Sequence, residues 1–119
     1  MIEGAASRPY VGRPQALKRC LGNLLDNALK YGNSAMMLVE DAPERLIIRI
    51  RDRGPGIPER ELERVFEPFY RLEGSRSRNT GGTGLGLSIA RKIAQLHGGA
   101  LHLRNLRQGG LEAVLTLPR

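Results

Sequence analysis

The stretch Gly81-Gly82-Thr83-Gly84-Leu85-Gly86-Leu87-Ser88-Ile89 constrains this chain more than any other. Four glycines in six positions run directly into an apolar-periodic segment, so a loop with little side chain opens into a helix. Backbone N–H groups in such a loop can approach an anion with no Cβ in the way. The helix that follows adds its own unpaired N–H groups and the positive end of its dipole. Such a run reads as a phosphate-cradling device. Thr83 stands at the N-cap position, within reach of phosphate through its hydroxyl or N–H. Taken alone, the run is equally well an ordinary glycine-rich turn before a helix.

A length of 119 residues predicts one domain around one core. No apolar run is long enough to cross a membrane, and the first residues lack the basic and apolar regions of a signal peptide. A single cysteine, Cys20, excludes an internal disulfide and fits a reducing compartment. It falls among leucines in a predicted helix and reads as a buried structural thiol. The net charge of +7 comes mostly from arginines that are scattered rather than clustered, and aromatic residues are only 4% of the chain. No base-stacking platform is visible, so nucleic acid is not an expected partner.

Residues 1–9 read as an N-terminal extension, either a truncated first strand or a foreign remnant, and residues 10–119 as the domain. Pro14 can open a helix. Leu17, Leu21, Leu24, Leu25, Ala28 and Leu29 then mark an apolar stripe at helical spacing, stopped by Gly32 and Asn33. Met36 to Val39 and Leu46 to Ile50 read as strands joined by a turn over residues 40–44. A Gly/Pro loop covers residues 53–58, and a short helix starts at Pro58. Residues 72–82 are polar and glycine-rich. Thr83 to His97 reads as a helix with Leu85, Ile89, Ile93 and Leu96 inward, ended by Gly98-Gly99. Ala100 to Leu106 and Leu111 to Leu117 close the chain as a hairpin. This order predicts an α+β fold, a two-layer sandwich, rather than alternating βαβ units.

Three further segments carry chemistry. Asn23, Asn27, Lys30 and Tyr31 share a helix face beside the apolar one. An Asn carbonyl is a neutral hard ligand suited to Mg²⁺, Lys30 can meet phosphate as a point charge, and Tyr31 can flank a sugar or base. The same face could equally turn its amides to solvent. In Asp52-Arg53-Gly54-Pro55-Gly56-Ile57-Pro58 a carboxylate ends an apolar strand just before two glycines. Carboxylates only accept hydrogen bonds, so a buried Asp52 would choose adenine, whose exocyclic amine donates, over guanine. The alternative is a plain strand-ending turn. Val65-Phe66-Glu67-Pro68-Phe69-Tyr70-Arg71 holds both Phe residues; an aromatic cluster of this kind is a core or hinge anchor, with Arg71 at its edge as a candidate phosphate contact.

Together these segments resemble the N, G1, F and G2 boxes of sensor histidine kinases in order and spacing. The boxes correspond to residues 23–31, 52–58, 66–69 and 82–87. The resemblance covers roughly residues 10 to 118. It implies the Bergerat ATP-binding fold of the GHKL superfamily, a mixed, mostly antiparallel sheet with about three helices on one face. By that resemblance Asn27 coordinates a Mg²⁺ ion bridging the phosphates of ATP, and Asn23 supports the site from one turn earlier. Lys30 and Tyr31 contact phosphate and nucleoside. Asp52 binds the adenine amine, Gly54, Gly56 and Ile57 line the base pocket, and residues 72–82 form an ATP lid.

Hydrolytic members of the superfamily carry a glutamate where this chain has Asn23, which is a poor base. Phosphoryl transfer, which needs mainly positioning and charge stabilisation, is therefore the expected chemistry. The family's phosphoaccepting His lies in a separate helical-hairpin domain, and neither His97 nor His102 sits in a matching stretch. The resemblance thus implies a monomeric catalytic fragment of a cytoplasmic kinase module, its parent anchored in the inner membrane or not. The hairpin domain would be its direct partner and a response regulator its indirect one. A Ser/Thr kinase of the anti-sigma type and a non-catalytic nucleotide-binding or docking module remain the alternatives. One departure is Arg13, where many relatives carry Asp; only surface charge near the helix start is expected to change.

Overall fold

The computed structural model describes residues 2–3, 12–68, 70 and 86–119. Strand β1 (Ile2–Glu3) precedes helix α1 (Pro14–Gly32). Strands β2 (Met36–Asp41) and β3 (Arg45–Arg51) follow as a hairpin. Two single 3-10 turns, Glu59–Glu61 and Arg64–Phe66, stand where the sequence predicts one short helix. Helix α2 (Gly86–Leu96) leads into a second hairpin, β4 (Ala100–Asn105) and β5 (Leu111–Pro118). The strands form one sheet in the order β1-β2-β3-β5-β4. Only the β1–β2 pair is parallel, with Ile2 opposite Met37 and Glu3 opposite Leu38; the remaining pairs are antiparallel. This is the expected two-layer α+β sandwich with a mixed, mostly antiparallel sheet.

Strict alternation decides which face is which. Leu46, Ile48 and Ile50 of β3 and Leu111, Ala113, Leu115 and Leu117 of β5 enter one core with Cys20, Leu24 and Ala28 of α1 and Ala90, Ile93 and Ala94 of α2. Small residues let the helices approach closely. Cys20, Ala90 and Ala94 have no exposed surface, and the Cys20 thiol lies 3.5 Å from the Ala90 carbonyl. Burial pushes that thiol up to about 11, so Cys20 is the inert structural residue expected.

Two residues assigned inward by sequence face out: Leu29 is 54% and Leu96 62% exposed. The buried line of α1 runs every fourth residue through Cys20, Leu24, Ala28 and Gly32, and Leu29 lies one residue round from it. In α2 the buried arc is Ala90, Ile93 and Ala94, and Leu96 falls to its side. The first hairpin is also longer than expected, with its turn reduced to Ala42–Glu44 and closed by Ala42 N–H to the Arg45 carbonyl at 2.9 Å.

On the opposite face of the sheet, Glu112 is fully buried beneath arginines. Arg104 Nε donates to its Oε1 at 2.6 Å, Arg51 Nε to its Oε2, and Arg49 Nη1 lies 3.6 Å away. Burial alone would raise the Glu112 carboxyl. The hydrogen bonds and charges of Arg51 and Arg104 outweigh it and hold the group below its usual range.

Candidate nucleotide site

Helix α1 ends where the sequence places its stop. Asn33 adopts the left-handed conformation, at φ 56°, and its N–H bonds to the Leu29 carbonyl at 3.2 Å. The helix end abuts the loop after β3 so tightly that only glycine fits. A Cβ on Gly32 would lie 2.3 Å from the Asp52 Cβ, and one on Gly54 would lie 2.7 Å from the Tyr31 carbonyl oxygen. Gly32 and Gly54 thus bring the candidate base contact, Asp52, against the end of the helix that carries Asn23, Asn27, Lys30 and Tyr31.

Asp52 is buried, as the base-recognition reading requires. Its Oδ1 accepts the N–H of Gly54 at 2.8 Å and of Leu111 at 3.2 Å. Its Oδ2 accepts no hydrogen bond among the described residues. The carboxylate is held by one oxygen, and the other is unpaired among the described residues.

Further up α1 the amides diverge in role. Asn27, half-buried, makes no side-chain hydrogen bond among the described residues. Asn23, one turn earlier, donates through Nδ2 to the Gly86 carbonyl at 3.2 Å. Gly86 is the last glycine of the run and the first residue of α2, so Asn23 ties the start of α2 to α1. From Gly32 back to Asn23 is about 13.5 Å of helix, comparable with an extended nucleoside triphosphate. Asp52 stands at one end of that span, Gly86 at the other, and Asn27 between. Lys30 pairs with Asp26 at 3.5 Å on the exposed side, and Tyr31 is exposed near the end of α1. Leu87 is half-buried against the core. Arg71, Gly82, Thr83, Gly84, Leu85 and the lid assignment at 72–82 lie outside the described residues.

The chemistry of these donors suits Mg²⁺. No cluster of three or more His, Cys, Asp or Glu residues that could hold a metal ion exists among the described residues. A hard cation here would draw on the amide oxygen of Asn27, with phosphate and water supplying the rest.

The described part of the aromatic segment packs into the core. Phe66 is buried, and the Arg91 guanidinium of α2 lies 3.7 Å from its ring centroid. Arg91 also donates to Glu63 at 2.9 Å and to the Leu101 carbonyl at 3.3 Å. The Arg91 hydrogen bond holds the Glu63 carboxyl below its usual range. Tyr70 donates its hydroxyl proton to the buried Glu61, and that bond raises the phenol. Phe69 lies outside the described residues. His97 caps α2: Nδ1 lies 2.9 Å from the Ile93 carbonyl, and Nε2 accepts the Arg13 N–H at 3.0 Å.

Sequence reasoning missed Asn105. Its Oδ1 accepts the Ile57 N–H at 2.9 Å and its Nδ2 donates to the Ile57 carbonyl at 2.6 Å. An Asn at a strand end carries no local signal for a partner 48 residues away.

Comparison with known proteins places the chain in a family. The profile of histidine kinase-, DNA gyrase B- and HSP90-like ATPases matches residues 12–119. The chain is 54% identical over 118 residues to the sensor histidine kinase GtrS of Pseudomonas aeruginosa, covering 99% of this chain and 24% of that protein. It is 37% identical over 111 residues to the sensor histidine kinase CpxA of Escherichia coli, covering 92% of this chain and 24% of CpxA. The ATP-binding domain of PrrB from Mycobacterium tuberculosis superposes with a TM-score of 0.77 at 32% identity, covering 98% of this chain and 76% of that one. The chain therefore spans about a quarter of the length of these curated relatives.

Proposed function

The chain belongs to the family of histidine kinase-, DNA gyrase B- and HSP90-like ATPases, and on that premise we propose that it is the ATP-binding catalytic domain, residues 10–119, of a two-component sensor histidine kinase. In this reading it binds Mg-ATP and presents the γ-phosphoryl group to a histidine on a separate helical-hairpin domain. The observation that carries the reading is Asp52: buried, fixed through one oxygen by two backbone N–H groups, and unpaired through the other among the described residues. An unpaired carboxylate oxygen accepts the amine of adenine and repels the carbonyl of guanine.

Asn27 would hold Mg²⁺ through its amide oxygen, and the metal would neutralise charge on the phosphates. Lys30, exchanging Asp26 for phosphate, and Arg71 add positive charge, while Tyr31 borders the nucleoside. Gly54, Gly56 and Ile57 line the base, and Gly82, Thr83, Gly84, Leu85, Gly86 and Leu87 surround the phosphates. Asn23 is neutral and already donates to the Gly86 carbonyl. It supplies no general base for water, which favours transfer over hydrolysis. A response regulator then receives the phosphoryl group from the hairpin domain, and the module works in the cytoplasm.

Calorimetric titration of the purified chain with ATP and GTP, with and without Mg²⁺, tests the binding step. ATP binding strengthened by Mg²⁺, with GTP bound far more weakly, is expected. A folded sample that ignores ATP refutes the reading. Mixing the chain with its cognate hairpin domain and γ-labelled ATP tests transfer. The label is expected on histidine, and label on serine or threonine would mark a Ser/Thr kinase instead.

A further inference from the structure

We propose that Asn105 is the positioning residue for the base-recognition loop, residues 52–57, an inference that rests on the nucleotide reading above. The loop contains Gly54, Pro55 and Gly56 and belongs to no helix or strand, so its shape depends on how its two ends are held. At the first end, Asp52 donates its N–H to the Leu111 carbonyl at 3.0 Å and accepts the Leu111 N–H on Oδ1 at 3.2 Å. At the second end, the Asn105 amide pairs with both backbone polar groups of Ile57.

Asn105 and Leu111 stand directly opposite each other in the β4–β5 ladder. One cross-strand pair therefore holds both ends of the loop. Leu111 acts through its backbone, which leaves the Asn105 amide as the side chain on which the second attachment depends.

The contact is shaped for this purpose. Ile57 is buried, so its N–H and carbonyl need partners. A primary amide supplies a donor and an acceptor side by side, the pattern a neighbouring strand would offer. Gly56 between the two ends has φ +77°, and a Cβ there would lie 2.5 Å from Asn105 Oδ1. The amide lies flush against the glycine that borders the base. Asn105 has no hydrogen bond to α1 or to Gly86, so its influence falls on the base end of the site.

The test is calorimetric binding of Mg-ATP to the whole chain and to Asn105→Ala and Asn105→Asp, with displacement by inorganic tripolyphosphate and thermal unfolding recorded for each. Asn105→Ala removes both bonds. Asn105→Asp keeps the shape and the bond from Ile57 N–H, but turns a negative oxygen toward the Ile57 carbonyl. The expected result is ATP affinity about 10-fold lower in the variants, as buried backbone groups lose their partners. The affinity for tripolyphosphate obtained from the displacement should be unchanged, and amide exchange should quicken at Gly54 and Ile57. A general loss of structure would weaken both ligands together and overturn the assignment. Folded variants that bind ATP within about twofold of the unmodified chain also overturn it, while leaving the nucleotide reading intact. Should the alanine variant fail to fold, the isosteric Asn105→Asp decides by the same criteria. Absence of ATP binding by the unmodified chain refutes the underlying reading itself.

Discussion

At Asp52 the two carboxylate oxygens have separate tasks, and a substitution can divide them. Asp52→Asn can keep its carbonyl oxygen on the Gly54 and Leu111 N–H groups, which puts an NH₂ where Oδ2 stands. A donor would then meet the donor of adenine. ATP affinity should fall by about 1–3 kcal/mol with little change in melting temperature, and the discrimination against GTP should narrow. Calorimetry with both nucleotides reads this directly; equal ATP affinity would remove Asp52 from the base contact. Gly32 makes the opposite kind of prediction. A Cβ there would sit 2.3 Å from Asp52 Cβ, so something must shift. Gly32→Ala should cost about 1–3 kcal/mol of stability through overpacking and weaken ATP binding in parallel, which chemical denaturation and titration together would register.

Helix α1 shows what its sequence made legible and what it did not. Its start at Pro14 and stop at Gly32–Asn33 follow from local chemistry, and the alternation of β3 and β5 follows from their apolar spacing. Asn27, Asn23 and Asp52 could be singled out because amides on a helix and a carboxylate before glycines invite a reason. The fixing of Asn23 to Gly86, and of Ile57 by Asn105, depends on partners 63 and 48 residues distant, which no local pattern reveals. Leu29 and Leu96 misled because a leucine at the margin of an apolar stripe satisfies the periodicity whichever way the helix is turned. Arg13 is more than the change in surface charge expected of it. It occupies the N-cap of α1 in extended conformation, with no side-chain capping bond and no acidic residue in the first turn. An acceptor belongs there. Arg13→Asp should add about 1 kcal/mol through capping and the helix dipole, seen as a higher melting temperature. The backbone bond from residue 13 to His97 does not involve the replaced side chain. A lower melting temperature would mean that the arginine itself holds this end of the helix.

Across the whole molecule the two faces of the sheet are stabilised by different physics. The helix side is an apolar core, whereas the other side gathers Arg49, Arg51 and Arg104 around Glu112. In a chain with a net charge of +7, that carboxylate restrains a local excess of positive charge and joins β3, β5 and β4 across their register. Replacing it with Gln keeps the volume and removes the charge. At neutral pH Glu112→Gln should cost about 1–3 kcal/mol, below the range for a fully buried pair. Arg51 and Arg104 are 38% and 57% exposed, and water can take over part of their charge. The pH dependence separates this ionic contribution from simple packing. The native Glu112 carboxyl lies below its usual range, so its stabilisation is complete above the unfolded value of about 4.3 and is lost as pH falls from there through the lower native value. Urea unfolding from pH 7 down to about pH 3 should therefore show the unmodified chain losing stability more steeply than Glu112→Gln below about pH 4.3. The gap between them should close as the carboxylate takes up its proton. Other carboxylates titrate in both proteins and cancel in the difference. A gap that persists unchanged into acid would assign the effect of Glu112 to its shape rather than its charge.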